Sequence, residues 1–267
     1  MSKQQVLLNT DSRGIATLTL NRPEVHNAFD DQVIDSLIRH LEAVAEDPAV
    51  RVLVLRSEGK NFSAGADLNW MRRMAGNSHQ ENLVDARGLA HLMRCLNDLP
   101  KPTIALVQGA AYGGAVGLAA CCDLVVATQA SQFCLSEVRI GLVPAVISPY
   151  VVRAIGERQA RRYFLTAEAF SATQAKDWGL VHELVETNED LDAAKEALIK
   201  KLLNNSPCAI EAAKALISTV SSKPITADLI EATSICIADI RISAEGQEGL
   251  SAFLEKRKPN WIQEQGQ

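Results

Sequence analysis

Two separated stretches of this chain place small residues where a strand hands over to a helix, a pattern suited to holding one carbonyl oxygen. The first is Phe62-Ser63-Ala64-Gly65-Ala66-Asp67-Leu68, which follows the apolar run Val52-Leu53-Val54-Leu55. The second is Gln108-Gly109-Ala110-Ala111-Tyr112-Gly113-Gly114-Ala115, which follows Thr103-Ile104-Ala105-Leu106-Val107. Small residues let a ligand approach the backbone closely, and a helix start leaves its first N–H groups without partners. Two such N–H groups converging on one point make an oxyanion hole, which stabilises charge on an acyl or thioester oxygen. Glu137, in Leu135-Ser136-Glu137-Val138-Arg139, is the candidate proton carrier. Apolar residues precede it (Phe133, Cys134, Leu135) and follow it (Ile140, Leu142, Val143), which predicts burial. Burial raises a carboxyl pKa and suits acid–base work.

Competing chemistries leave weaker traces. Neither the Gly-x-x-x-x-Gly-Lys-Ser/Thr loop nor Gly-x-Gly-x-x-Gly occurs, so a phosphate-cradling loop is not supported. Ser136, Ser148 and Tyr112 carry hydroxyls near the motifs, but His79, His91 and His182 lie elsewhere in sequence, and a serine nucleophile needs a histidine base. Lining or capping is the plainer role for these hydroxyls. Arg72, Arg73 and Arg139 are forks suited to a substrate carboxylate, although each also reads as a surface charge. Asp67 reads first as the cap of a helix running through Trp70 and Met74. The six cysteines (Cys95, Cys121, Cys122, Cys134, Cys208, Cys236) sit mostly in apolar segments without metal-ligand spacing. They read as buried reduced thiols in a reducing compartment, most simply the cytoplasm, with no metal.

The 267 residues suffice for a sizeable core, and 22% charged with 47% apolar residues is an ordinary globular balance. A net charge of −5 argues against a nucleic-acid partner, because phosphate contacts need a basic surface. No apolar run reaches the ~20 residues of a membrane span, and Met1-Ser2-Lys3-Gln4-Gln5 carries no signal core.

The elements that must position these groups can be read from periodicity. Residues 6–9 and 15–20 form a hairpin; in the second strand Ala16, Leu18 and Leu20 alternate with Thr17 and Thr19. Asp30 or Asp31 caps a helix with Val33, Ile34, Leu37, Leu41 and Val44 on one face. Strand, turn and helix recur through 51–75, 103–121 and 123–156, with shorter strands at 124–127 and 132–135. Such alternation indicates an α/β fold with parallel strands. Ser171 and Gln174 form a capping-box pattern for a helix ending at Trp178-Gly179, before a strand-like 180–185. Ser206-Pro207 opens a helical C-terminal third with periodic stretches at 208–221, 226–241 and 244–257.

The chain closely resembles the enoyl-CoA hydratase/isomerase (crotonase) family over nearly its whole length. The resemblance is carried by Leu20-Asn21-Arg22-Pro23 with Asn27-Ala28, both small-residue loops, and Cys122-Asp123-Leu124. It continues through residues 133–144, Leu165-Thr166, Ala175 with Trp178-Gly179-Leu180-Val181, and Phe253-Leu254-Glu255-Lys256-Arg257-Lys258. It implies a spiral of ββα turns over 1–200, and a helical region over 201–267 that serves trimerisation and covers coenzyme A. It also implies a homotrimer or homohexamer. Ala66 and Gly114 fall at the oxyanion-hole positions, and Glu137 at the glutamate that exchanges a proton with substrate carbon. The adenine is expected against backbone around 64–68, which brings in Ala64, Asp67 and Leu68. Lys60 and Lys256 fall where coenzyme A phosphates are held. Coenzyme A enters as part of an acyl-CoA substrate, so no separate cofactor is expected, and neither nucleic acid nor membrane is a partner.

One departure stands out. Where a hydratase of the family carries a first glutamate, this chain has Gly117, and 113–122 holds no carboxylate. Gly117→Glu would restore the usual pair. Isomerases of the family commonly work with the Glu137 carboxylate alone. The stretch Tyr112-Gly113-Gly114-Ala115-Val116-Gly117-Leu118, together with 141–150, resembles the branch of methylglutaconyl-CoA and isohexenylglutaconyl-CoA hydratases. The expected activity is therefore hydration of a 3-branched glutaconyl-type CoA, with Δ3,Δ2-enoyl-CoA isomerisation as the alternative. A reading of another class is an RNA-binding or scaffolding protein, since one similar eukaryotic branch binds RNA; the acidity of this chain weighs against it.

Overall fold

β1 (Val6–Thr10) and β2 (Ile15–Leu20) pair as an antiparallel hairpin, Val6 opposite Leu20 and Thr10 opposite Ala16; β2 is buried at every position but Thr17, not on alternate residues as its sequence suggests. From there the sheet grows by parallel neighbours. β3 (Val52–Ser57) lies beside β2, β4 (Thr103–Val107) beside β3, and β6 (Leu124–Thr128) beside β4; β9 (Glu183–Val185) ends the row. Every residue of β4 is buried, as expected of a central parallel strand covered on both faces. A second sheet holds β5 (Ala110–Tyr112), β7 (Gln132–Cys134) and β8 (Ala169–Ser171), with β5 parallel and β8 antiparallel to β7. The computed structural model describes residues 4–262; the expectation for Met1, Ser2 and Lys3 lies outside them.

α1 (Asp31–Glu46) is capped by Asp30, whose side chain accepts from the Val33 N–H at 3.0 Å. It buries Val33, Ile34, Leu37, Leu41 and Val44, the stripe expected from the sequence, and Ile38 in addition. α2 (Leu68–Met74) and α4 (Gly114–Cys121) start directly at the two small-residue loops. α3 (His79–Asn97) was not foreseen, because its first half is polar, although Ser78 and Glu81 form a full capping box at its start. α5 (Ser148–Thr166) bends at Gly156, and α6 (Ala172–Asp177) begins at the expected Ser171–Gln174 box. The strand expected over 180–185 is limited to β9.

The chain divides into two compact units. Of the described residues, one comprises those up to 99 together with 103–196, and the other 100–102 and those from 197 onward, so the division falls within α7 (Asn188–Leu203). The first unit holds the sheets and nearly all the buried core. The second unit contains α8 (Pro207–Val220), α9 (Ala227–Ile242) and α10 (Ala244–Leu254), packed on one another. Neither α8 nor α9 buries a residue, and Ile217, Ile230, Ile242 and Phe253 are exposed. No helix among the described residues is long and apolar enough to cross a membrane.

Candidate active site

The two small-residue loops are joined to each other by backbone hydrogen bonds. Phe62 N–H donates to Gln108 O at 2.7 Å, Ser63 N–H to Ala110 O at 3.0 Å, and Tyr112 N–H to Ser63 O at 3.0 Å. Asn61 Oδ1 accepts from the Ala110 N–H, and the Gln108 amide holds Ser57 O. Gly65 adopts φ 90°, and a Cβ there would stand 2.8 Å from Tyr112 O, so a side chain would force the loops apart.

A brace from residues 21–30 completes the arrangement. Phe29 N–H donates to Gly65 O at 2.9 Å, and Asp67 N–H donates to Phe29 O at 3.0 Å. Arg22 donates to Ala28 O at 2.8 Å and pairs with both Asp30 and Asp67, the N-caps of α1 and α2. The Asn27 amide donates to Glu58 O and Asn61 O. Gly113 N–H is taken by Cys134 O, and Gly113 O receives the Val116 N–H. Once these bonds are assigned, no acceptor among the described residues takes the N–H of Ala66 or of Gly114. These are the two groups expected to be the oxyanion donors.

Glu137 opens a short 3-10 turn (Glu137–Ile140) that follows β7 and ends at Gly141 in the left-handed region. Its residue is half-buried, but Oε2 is buried without a hydrogen-bond partner. Oε1 lies 3.2 Å from where a Gly113 Cβ would stand, so the carboxyl group sits directly beside the start of α4. Burial pushes its pKa up from the ordinary glutamate value, and the hydrogen bond from its own backbone only partly opposes that. A carboxyl group of this kind, lifted above the ordinary glutamate range, can take a proton and return it.

Gly117 faces a filled space. A Cβ there would stand 2.3 Å from Ile147 Cγ2 and 3.2 Å from Met93 Sδ, and both side chains are buried. The expectation that Gly117→Glu restores a pair of carboxylates is therefore corrected: even the first carbon of a side chain has no room. Ile147, at the end of the loop that follows Glu137, lies in the stretch 141–150 that the resemblance singles out, but its packing against Gly117 was not foreseen.

The remaining expected residues fall as follows. The Asp67 carboxylate caps α2 through Asn69 N–H (2.8 Å) and Trp70 N–H (3.3 Å) and pairs with Arg22, so its side chain is structural. Burial would raise its pKa, but these donors outweigh that and hold it below the ordinary aspartate value. Ala64 and Leu68 are exposed within the first loop, Lys60 is exposed just before it, and Lys256 is exposed in the second unit, after α10. Arg72 is held by Asn69, Arg73 by Asp31 and Arg139 by Ala167 O, so each of the three arginines considered for a substrate carboxylate already has a partner. No serine–histidine pair forms among the described residues: Ser148 donates to Ala145 O, and His182 Nδ1 accepts from the Val125 N–H. Buried thiols were expected: Cys121, Cys122 and Cys134 are buried, but Cys95 and Cys236 are only partly buried, and Cys208 is exposed, beside Glu245.

Two other features lie apart from Glu137 and the two donor N–H groups. Glu42, His91 and Cys95 bring ligand-type atoms within 4.8 Å of one another. Cys95 Sγ stands 3.5 Å and 3.6 Å from the two ring nitrogens, so it faces neither lone pair squarely. An open cleft of about 350 Å³ is lined by Asp31, Trp70, Arg73 and residues of α3, none of them from the candidate site.

A sequence profile of the family described as enoyl-CoA hydratase/isomerase matches residues 10–265. The crystal structure of an enoyl-CoA hydratase from Shewanella pealeana is similar with TM-score 0.94 and 48% identity, covering 97% of this chain and 96% of that one. The 2,3-dehydroadipyl-CoA hydratase of Escherichia coli is 33% identical, over 96% of this chain and 98% of its own. The trans-2-decenoyl-[acyl-carrier-protein] isomerase of Streptococcus mutans is 30% identical, over 98% and 99%. The chain belongs to the enoyl-CoA hydratase/isomerase family. It is an enzyme of that family, with a crotonase-type α/β fold and a helical C-terminal region.

Proposed function

We propose that this enzyme is a hydro-lyase that adds or removes water across the double bond of an enoyl-CoA, with a 3-branched glutaconyl-type CoA as substrate. The observation that carries the proposal is Glu137 Oε2, buried without a partner, on a carboxyl group beside the helix whose first N–H is also unpartnered. In this reading the thioester oxygen accepts from the Ala66 and Gly114 N–H groups. Water attacks C3 as the π electrons move toward the thioester, and charge gathers on the held oxygen. Glu137 takes the proton from water and returns a proton to C2, so a C3–O bond and a C2–H bond replace the π bond. A branch at C3 makes the attacked carbon tertiary and better able to carry partial positive charge, which lessens the need for a second carboxylate. Lys60 and Lys256 hold coenzyme A phosphates, with the adenine along 64–68.

Isomerisation is favoured by a different observation, the Ile147 and Met93 side chains that exclude a carboxylate at Gly117. One carboxylate suffices to move a proton between C2 and C4. The two readings separate when 3-methylglutaconyl-CoA is incubated in heavy-oxygen water. Hydration places label in the product hydroxyl. Unlabelled 3-methylglutaconyl-CoA, with double-bond migration in an unbranched 3-enoyl-CoA, would give the site to the isomerase.

The exposed apolar faces of α8 to α10 support assembly as a homotrimer or homohexamer, which light scattering at micromolar concentration measures directly; a monomer there ends that reading. Buried thiols at Cys121, Cys122 and Cys134 support a reducing compartment, the cytoplasm.

A further inference from the structure

Phe29 touches both halves of the proposed oxyanion hole. Its backbone pairs with the first loop on both sides of Ala66, through the bonds to Gly65 O and from Asp67 N–H. Its ring tip lies against the second: a Cβ on Gly114 would stand 2.6 Å from Phe29 Cζ and 3.2 Å from Cε2. The residue is 1% exposed, and Arg22 fixes the chain on either side of it through Ala28 O and Asp30. A phenyl ring has only two torsions and does not change length, so it acts as a spacer between a strand-like backbone and a helix start.

We infer that Phe29 is a positioning residue that sets where the Gly114 N–H stands relative to the Ala66 N–H. The inference rests on the oxyanion reading above and adds to it the part that fixes the geometry. It explains why Gly114 lacks a side chain in physical terms: a methyl group there would have to displace the ring. It also predicts that ring size at 29 and bulk at 114 trade against each other.

The test reads carbonyl polarisation separately from turnover. 2,4-Hexadienoyl-CoA is bound to protein carrying Glu137→Gln, which keeps the probe intact; hydrogen bonds to its thioester oxygen move its absorbance band to longer wavelength. Phe29→Leu removes the ring tip while keeping an apolar side chain, and is expected to shrink that band shift. In protein with Glu137 intact, Phe29→Leu lowers kcat by between about tenfold and 10²-fold, the scale of an ångström-sized misplacement, with KM moving far less. Gly114→Ala against the intact ring is expected to shrink the shift as well, and the double variant Phe29→Leu/Gly114→Ala to recover part of it. If Phe29→Leu fails to fold, Gly114→Ala supplies the same reading. A full band shift in either folded single variant overturns the inference while leaving the oxyanion reading intact. No band shift with Phe29 and Gly114 unchanged overturns both.

Discussion

A carboxylate oxygen that is buried and unpartnered costs the folded state most when it is charged, and Glu137 is held in that condition. Its folded pKa lies above the ordinary value of 4.5, so its contribution to stability is fully present below that value and is lost as pH rises through the folded one. Glu137→Gln therefore does two things at once. Turnover falls by ~10²–10⁴, the usual contribution of a positioned acid–base group. Thermal melts near pH 7 show the variant at least as stable as the parent, with the difference closing at about pH 4. A variant that melts clearly lower near pH 7 means that the carboxylate has a stabilising partner in solution. The same raised pKa places the acid limb of the parent's pH–rate profile above the ordinary glutamate range, and an unshifted limb contradicts it. At this scale much was legible beforehand. The apolar residues flanking Glu137 announced its burial, and the paired Gly and Ala turns announced the unpartnered N–H groups. Phe29 and Ile147 were not legible, because their roles depend on which distant glycine each side chain meets, and no local pattern records that.

At the scale of elements, α4 is short, apolar all round, and starts on glycines whose missing side chains are matched by neighbours. The residue that leads into α5, Ile147, fills the place of a side chain at Gly117. Gly117→Glu would insert three carbons and a charge into a packed, apolar contact, which costs more than about 3 kcal/mol. Urea or thermal unfolding is expected to show a severely destabilised or insoluble variant, and Ile147→Gly in the same chain to recover part of the loss. A Gly117→Glu protein with the parent's midpoint indicates that α4 and α5 separate readily in solution. Periodicity located the long amphipathic elements well. It missed α3, whose polar first half masks its apolar end, and the short β5 and β8, which exist through pairing rather than propensity.

For the molecule as a whole, acidity and ligand pull in opposite directions, since a net charge of −5 must admit a polyanionic coenzyme. Lys60 and Lys256, both exposed, are the groups proposed to offset it locally. Alanine at both positions should raise KM more than it lowers kcat, because a remote phosphate contact stabilises ground and transition states alike. The effect should fade at high salt, where exposed charges are screened. Unaltered acyl-CoA affinity of the double variant at low salt removes both lysines from the binding surface.

The bonds that join residues 62–63 to 108–112 also govern how the enzyme comes into being. Asn61 and Ala110, one of the linked pairs, are 49 positions apart, so no short stretch of chain can prefigure the donor arrangement. Closing a loop of that length costs entropy before any of these contacts is rewarded. Competence is therefore expected late in refolding, once β3 and β4 have found each other and the loops beyond them have joined; regain of activity that precedes the sheet signal in stopped-flow refolding contradicts this. In a denaturant titration activity then disappears in one step with the sheet. A fragment containing either loop alone has no donor pair to offer.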